Sequence, residues 1–358
     1  MRLSRRALLH GLLVTAMPGS AALAQGFAGL GEAADGFEKV VPGRALAFPA
    51  DHGPHPGFRI EWWYVTANLR DQSGVPYGAQ WTLFRQAITA GPEDEGWASR
   101  QLWMGHAAVT SASEHRFSQR LARGGVGVAG AEALPFHAWI DAWDMRGVES
   151  FSPQNISPVA LSASSNDFAF DLKLEASQPL VLQGEGGYSR KSEQGQASYY
   201  YSQPFFKADG DIEIAGKRIG VTGQAWMDRE WSSQPLASDQ KGWDWISLHL
   251  ASGTKLMLFR LRQSGGHHYI SANWIEPDGH STLLASSAVA LSPLAQSSVA
   301  GRKLPTEWDI VIPSRDLKIK ITALNPQSWM ATSIPYWEGP VSIQGSDKGV
   351  GYLEMTGY

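Results

Sequence analysis

Cysteine is absent from all 358 residues, which excludes disulfides and any thiolate metal site. Charge is scarce: charged residues make up 18% of the chain, the formal net charge is −4, and no lysine or arginine block follows the first few residues. A surface for nucleic acid or another polyanion is therefore not expected. No segment reaches the ~18 consecutive apolar residues that would suggest a transmembrane helix. Long amphipathic helices are missing too; the nearest candidate, Leu283–Val299, keeps the helical period only weakly. There is no Gly-x-Ser-x-Gly elbow, phosphate loop or dinucleotide fingerprint, so no recognisable hydrolase nucleophile is present. His52 and His55 beside Asp51, and His267-His268 in a Gly-flanked loop, lack a third ligand at fixed spacing. No metal and no cofactor are expected.

What the chain has instead is tryptophan and glycine, 15 and 38 residues. Tryptophan is accommodated by burial with a partner for its N–H, so this many implies large cores or a large aromatic cavity. With many turn residues and few helical segments, the composition predicts β structure. At the N-terminus, Arg5-Arg6 leads into the apolar run Leu8–Ala16 and the small-residue site Ala22-Leu23-Ala24. This is the pattern of a twin-arginine export signal over residues 1–24, predicting a periplasmic or secreted protein. Residues 25–50 form a Gly/Ala-rich lead-in. Strands are predicted over Glu61–Leu69, Gly78–Arg85, Gln101–Thr110, Phe136–Trp143, Phe168–Leu174 and Ala197–Ser202, and in the second half over the hairpin 211–214 and 219–222, which leads into Trp226–Trp231, then 243–250, 254–261, 269–275, 306–312, 317–323, 341–343 and 352–357.

Two halves repeat. Trp62–Leu69 lines up with Trp243–Leu250, and each is followed by a turn and Leu-Phe-Arg, at Leu83–Arg85 and Leu258–Arg260. A weaker match sets Tyr199–Ser202 against Leu353–Thr356 as closing strands. The repeat predicts two tandem antiparallel β-domains, over 51–205 and 206–358. Sandwich and barrel both fit the strand spacing; the aromatic content favours a lined apolar cavity over a water-filled one.

The stretches His55–Tyr64, Gly105–Thr110, Gly223–Pro235, Pro335–Gly339 and the Gly351–Tyr358 ending carry a resemblance. Over about residues 45 to 358 the chain resembles the AttH-type lipocalin-like proteins, relatives of carotenoid 1,2-hydratase (hydroxyneurosporene synthase). The resemblance implies two lipocalin-like β-barrels. It implies a hydrophobic small-molecule ligand, an isoprenoid, polyene or lipid, with ABC transporter subunits as partners. It also implies a second function, cofactor-independent hydration or cyclisation of an alkene. Where the hydratases carry Asp-His-Asn, this chain reads Asp228-Arg229-Glu230.

Hydrating an unactivated alkene requires a carboxylic acid still protonated near neutral pH, aromatic faces around a cation, and a dry pocket. Asp228, Glu230, Asp244 and Glu61 are the acids that stand beside tryptophans. Asp228 and Glu230, with Arg229 between them, are the candidate catalytic set. Trp226, Trp231, Trp243, Asp244, Trp245, Glu61, Trp62, Trp63 and His106 are the candidate ligand-binding residues. An adjacent guanidinium would lower a carboxyl pKa, so Arg229 leans the reading toward binding, or toward a structural ion pair among the three.

Overall fold

The computed structural model describes residues 27–91 and 94–358; the twin-arginine segment and its expected cleavage site lie outside the described residues. Among these residues the structure is nearly all β, with strands joined by turns and single 3-10 turns. The first sheet has thirteen strands and forms a nearly closed barrel. From its edge it runs His115–Arg123, Gln101–Thr110, Pro76–Ala87, Ile60–Asp71, Lys217–Ser232, Ala197–Ile214 and Phe168–Ala176, then back through Ser157–Ser164 to Ala129–Ala133. The second sheet, ten strands in a half-barrel, centres on Lys255–Gln263, Gln240–Leu250, Gly349–Thr356 and Tyr336–Gly345. The all-β, two-barrel lipocalin-like architecture is the one expected.

The sheets divide between Ser232 and Gln240. The junction expected at 205/206 instead falls inside the strand Ala197–Ile214. Pro204 lies within this strand, and a register shift between Gln203 and Phe206 absorbs it. At the far end Ala215 and Gly216, both at positive φ, turn the chain directly into Lys217–Ser232. The expected strand Phe136–Trp143 is likewise two strands, Phe136–Ile140 and Trp143–Ser152, parted at Asp141 with φ 53°.

The duplication is present, with a different register. Glu61 pairs with Arg85 and Trp62 with Phe84, while Asp244 pairs with Arg260 and Trp245 with Phe259. With Leu83–Arg85 laid on Leu258–Arg260, Trp62 corresponds to Trp245 rather than Trp243. A slip of two residues preserves which face each side chain points to, so the sequence match survived it. The counterpart of Gly349–Thr356 is Lys217–Ser232, since each lies beside the first strand of its hairpin. Tyr199–Ser202 is one strand further out.

Inward-facing residues fill both barrels. The first holds Trp63, Trp81, Trp143, Tyr201 and Trp231 among aliphatic groups; the second holds Leu248, Leu258, Trp308, Ile319 and Trp337. A third cluster, with Tyr64, Tyr200, Trp226, Trp245 and Phe259, joins the outer faces of the two sheets. The aromatic cavity lies there, between the barrels and not inside either.

Candidate active site between the barrels

Strand alternation builds this site. On the first sheet, Ile60, Trp62 and Tyr64 point outward, with Phe84, Met104 and Leu121 forming a cross-strand row that starts at Trp62. On the second sheet Trp243, Trp245, Phe259 and Leu261 face them. Between the two walls is a cavity of about 490 Å³, sized for a small apolar molecule. Leu102 and Leu121, 44% and 67% exposed, line it at the sheet edge and mark its mouth. Ala28 and Leu30 from the lead-in segment also line it, held by bonds from Gln234 Nε2 to the Gly31 carbonyl (3.0 Å) and from the Leu236 N–H to the Leu30 carbonyl (3.4 Å).

Three carboxyl groups line this apolar space: Asp228, Glu230 and Glu354. Asp228 receives three hydrogen bonds. Ser202 Oγ and Trp226 Nε1 donate to Oδ1 at 2.5 and 2.7 Å, and the Tyr200 hydroxyl donates to Oδ2 at 2.7 Å. Burial outweighs these donors and pushes its pKa up to about 7, with the charge of Glu230 adding to the rise. Glu354 receives one donor, Trp243 Nε1, at 2.5 Å; burial likewise lifts it to about 7. Glu230 is ion-paired with Lys191 Nζ at 2.8 Å, and that ammonium also lies 4.2 Å from the Phe259 ring centroid. Behind the wall, Glu338 accepts a 2.5 Å bond from the Tyr64 hydroxyl, and burial and the Glu354 charge keep it well above the usual carboxyl range.

His106 lines the cavity and is neutral, since burial lowers its pKa to about 3. With the Gln119 amide donating to Nε2 at 3.2 Å, Nδ1 carries the proton and donates to the Tyr336 hydroxyl at 2.9 Å. Among the described residues no group of three or more His, Asp or Glu is arranged to hold a metal ion.

Of the residues singled out from sequence, Asp228, Glu230, Trp62, Trp243, Trp245 and His106 meet at this cavity, and Trp226 stands behind Asp228 as its donor. The others are elsewhere. Arg229 points the opposite way from its two neighbours, into the first barrel. There it pairs with Glu61, donates to the Gly53 carbonyl, and lies 3.8 Å over the Trp63 ring. The expected ion pair within Asp228-Arg229-Glu230 does not form, because adjacent residues on a strand face opposite sides. Arg229 therefore does not hold the Asp228 pKa down. Burial disfavours ionised Glu61, but Arg85 and Arg229 outweigh it and keep its pKa well below the normal range. Trp63 donates to the His52 carbonyl at 2.9 Å and Trp231 stacks on His55 at 4.0 Å, both inside the barrel. Asp244 is the second-barrel counterpart of Glu61, bound by Arg260 at 2.8 Å and by the Tyr358 hydroxyl at 2.7 Å. These five residues, Arg229, Glu61, Trp63, Trp231 and Asp244, close filled barrels and do not line the cavity.

Sequence reasoning missed Glu354, Tyr200, Lys191 and Tyr336. A signal existed for Glu354, an acid inside the otherwise apolar strand run Tyr352–Met355. For Lys191 there was none, because it reaches the site from a loop distant in sequence.

Two β-barrels with packed interiors, sharing an acid-bearing aromatic cavity at their junction, define a two-barrel lipocalin-like protein. The chain belongs to the AttH-like family, which it matches over residues 39–358. It is similar to an AttH of known structure from Nitrosomonas europaea, at 34% identity and TM-score 0.80, over 90% of this chain and 99% of that one. Kievitone hydratase from Nectria haematococca shares the fold at 14% identity and TM-score 0.66, over 90% of this chain and 96% of that chain. So does CghA, solved with Sch210972, at 12% identity and TM-score 0.53, over 91% and 97%. A comparison with curated proteins finds no match.

Proposed function

We propose that this protein takes an apolar, unsaturated molecule into the inter-barrel cavity and performs acid–base chemistry on its double bond, as a cofactor-independent hydro-lyase or cyclase. The observation that carries this is Asp228: a carboxyl in an aromatic cavity, titrating at about 7, with no cation paired to it among the described residues. A group exchanging its proton near neutral pH suits a general acid or base. The rings of Trp62, Trp245 and Tyr200 can face a developing carbocation, an interaction contributing on the order of 2 kcal/mol per desolvated contact. The hydratase named among the fold relatives supports the same reaction class by analogy.

The reading without chemistry is a carrier of an isoprenoid or acyl lipid, in which the acids only shape the pocket. The predominantly apolar lining and the exposed Leu121 at the mouth favour uptake from a lipid-rich source in either case. The twin-arginine pattern supports action in the periplasm or outside the cell, and family membership supports an ABC transporter as partner. Isolation of the protein from the periplasmic fraction with Gln25 as its N-terminus, and co-purification with transporter subunits, test these two points.

The reaction is tested by incubating the purified protein with linear polyenes and measuring a mass gain of one water or an isomeric ring product. Product that disappears in the Asp228→Asn variant supports the enzyme. No product, with lipid retained through purification, leaves the carrier. A protein that retains no lipid and shows no tryptophan quenching with fatty acids or isoprenoids refutes both.

A further inference from the structure

The duplicated hairpins bring one Trp–Glu pair from each sheet to the same cavity. Trp62 pairs across strands with Glu230, and at the corresponding place Trp245 pairs with Glu354. The two glutamates are treated differently. Glu230 has Lys191 beside it, whereas no cation pairs with Glu354 among the described residues and only the Trp243 N–H reaches it. A buried carboxyl with one donor and no counter-charge is easier to keep as an acid than as an anion. Asp228 is the reverse case, since three donors converge on its two oxygens. Burial lifts both groups to about 7 and their charges repel, so only one of the two ionises readily; three donors against one favour the anion at Asp228. The two walls are also linked: Trp245 Nε1 donates to the Tyr200 hydroxyl at 3.1 Å, and Tyr200 donates to Asp228.

Resting on the alkene-hydration reading, we propose that Glu354 is the proton donor of the cavity and Asp228 the base that takes the proton of the attacking water. The Glu354 O–H bond breaks as the alkene π pair forms a C–H bond, leaving a cation on the neighbouring carbon. Water oxygen bonds to that carbon, and the proton it releases goes to the Asp228 carboxylate. Return of this proton from Asp228 to Glu354 restores the starting state, so the net change is alkene plus water to alcohol. Acid and base come from different sheets, and the reaction requires both barrels.

The test compares full-length wild type, Glu354→Gln and Asp228→Asn by infrared difference spectroscopy at neutral pH and by turnover of linear isoprenoid polyenes. Near-ultraviolet circular dichroism checks that each variant is folded. E354Q is expected to lose the carbonyl band of a protonated carboxylic acid, and D228N a carboxylate band. Each is expected to lower kcat by about 100-fold or more. The alkaline limb of the pH–rate profile should vanish in E354Q and the acidic limb in D228N. Turnover with the two bands interchanged, or with E354Q as active as wild type, overturns the assignment and leaves the hydration reading standing. A wild type that shows the assigned bands yet converts no polyene sinks the hydration reading, and the donor role with it.

Discussion

Replacing Asp228 by Asn should make the protein more stable above neutral pH and flatten its stability against pH. Burial raises the Asp228 carboxyl from 3.8 to about 7. Below the lower value both folded and unfolded chains hold the proton, and the group has no effect. Between the two values only the folded chain holds it, so stability declines as pH rises. Above about 7 the full cost is in place. At roughly 1.4 kcal/mol for each tenfold in proton affinity, an ionised Asp228 costs about 4 kcal/mol. The D228N amide keeps an oxygen to accept from Ser202 and Trp226, while the Tyr200 hydroxyl must turn to accept from the amide nitrogen, a loss on the order of 1 kcal/mol. Urea denaturation at pH 4 and pH 8.5 should therefore show wild type losing about 4 kcal/mol more than D228N across that interval. The variant should be more stable by about 3 kcal/mol at the upper pH. Parallel stability curves for the two proteins would refute the argument, because they would mean that Asp228 is solvated in the folded state.

Arg229→Met should destabilise the chain by about 3 kcal/mol by leaving Glu61 with one guanidinium in place of two, while leaving tryptophan quenching by an apolar ligand unchanged. Lys191→Met should cost about 3 kcal/mol in urea titrations at neutral pH, and most of it should return in the K191M/E230Q double variant, which has no unpaired charge. Trp62→Ala should weaken binding of a retained isoprenoid by roughly 30-fold, near 2 kcal/mol, with little change in the denaturation midpoint, because the ring faces the cavity and not a packed interior.

The strand content was legible because aromatic and β-branched runs end at clear turns. Gln101–Thr110 and Leu317–Ala323 have the bounds that the pattern predicts. The hairpin turn between Ile214 and Lys217 was legible too, but the continuity of Ala197–Ile214 was not, since Pro204 inside a strand is tolerated only through a local irregularity that residue types do not announce. The site was half legible. Asp228 and Glu230 stand out as acids among tryptophans, yet three consecutive charged residues look like one cluster until the strand assigns each a face. The second wall was legible only in its tryptophans, Trp243 and Trp245: Glu354 joins Asp228 only through packing between the sheets, and Lys191 comes to Glu230 from a loop distant in sequence.

That alternation in Lys217–Ser232 separates what can change from what cannot. Met227, Arg229 and Trp231 answer to the folding of the first barrel, while Asp228 and Glu230, with Trp226 behind Asp228 as its donor, answer to whatever occupies the cavity. A lineage can thus rewrite its chemistry at every second residue and leave the scaffold intact, or the reverse. The Arg at 229, the position that the resemblance sets against the His of the hydratases, falls on the scaffold side of that division. Its replacement speaks about how this barrel is closed, and a change of substrate would have to be sought at the residues on either side of it.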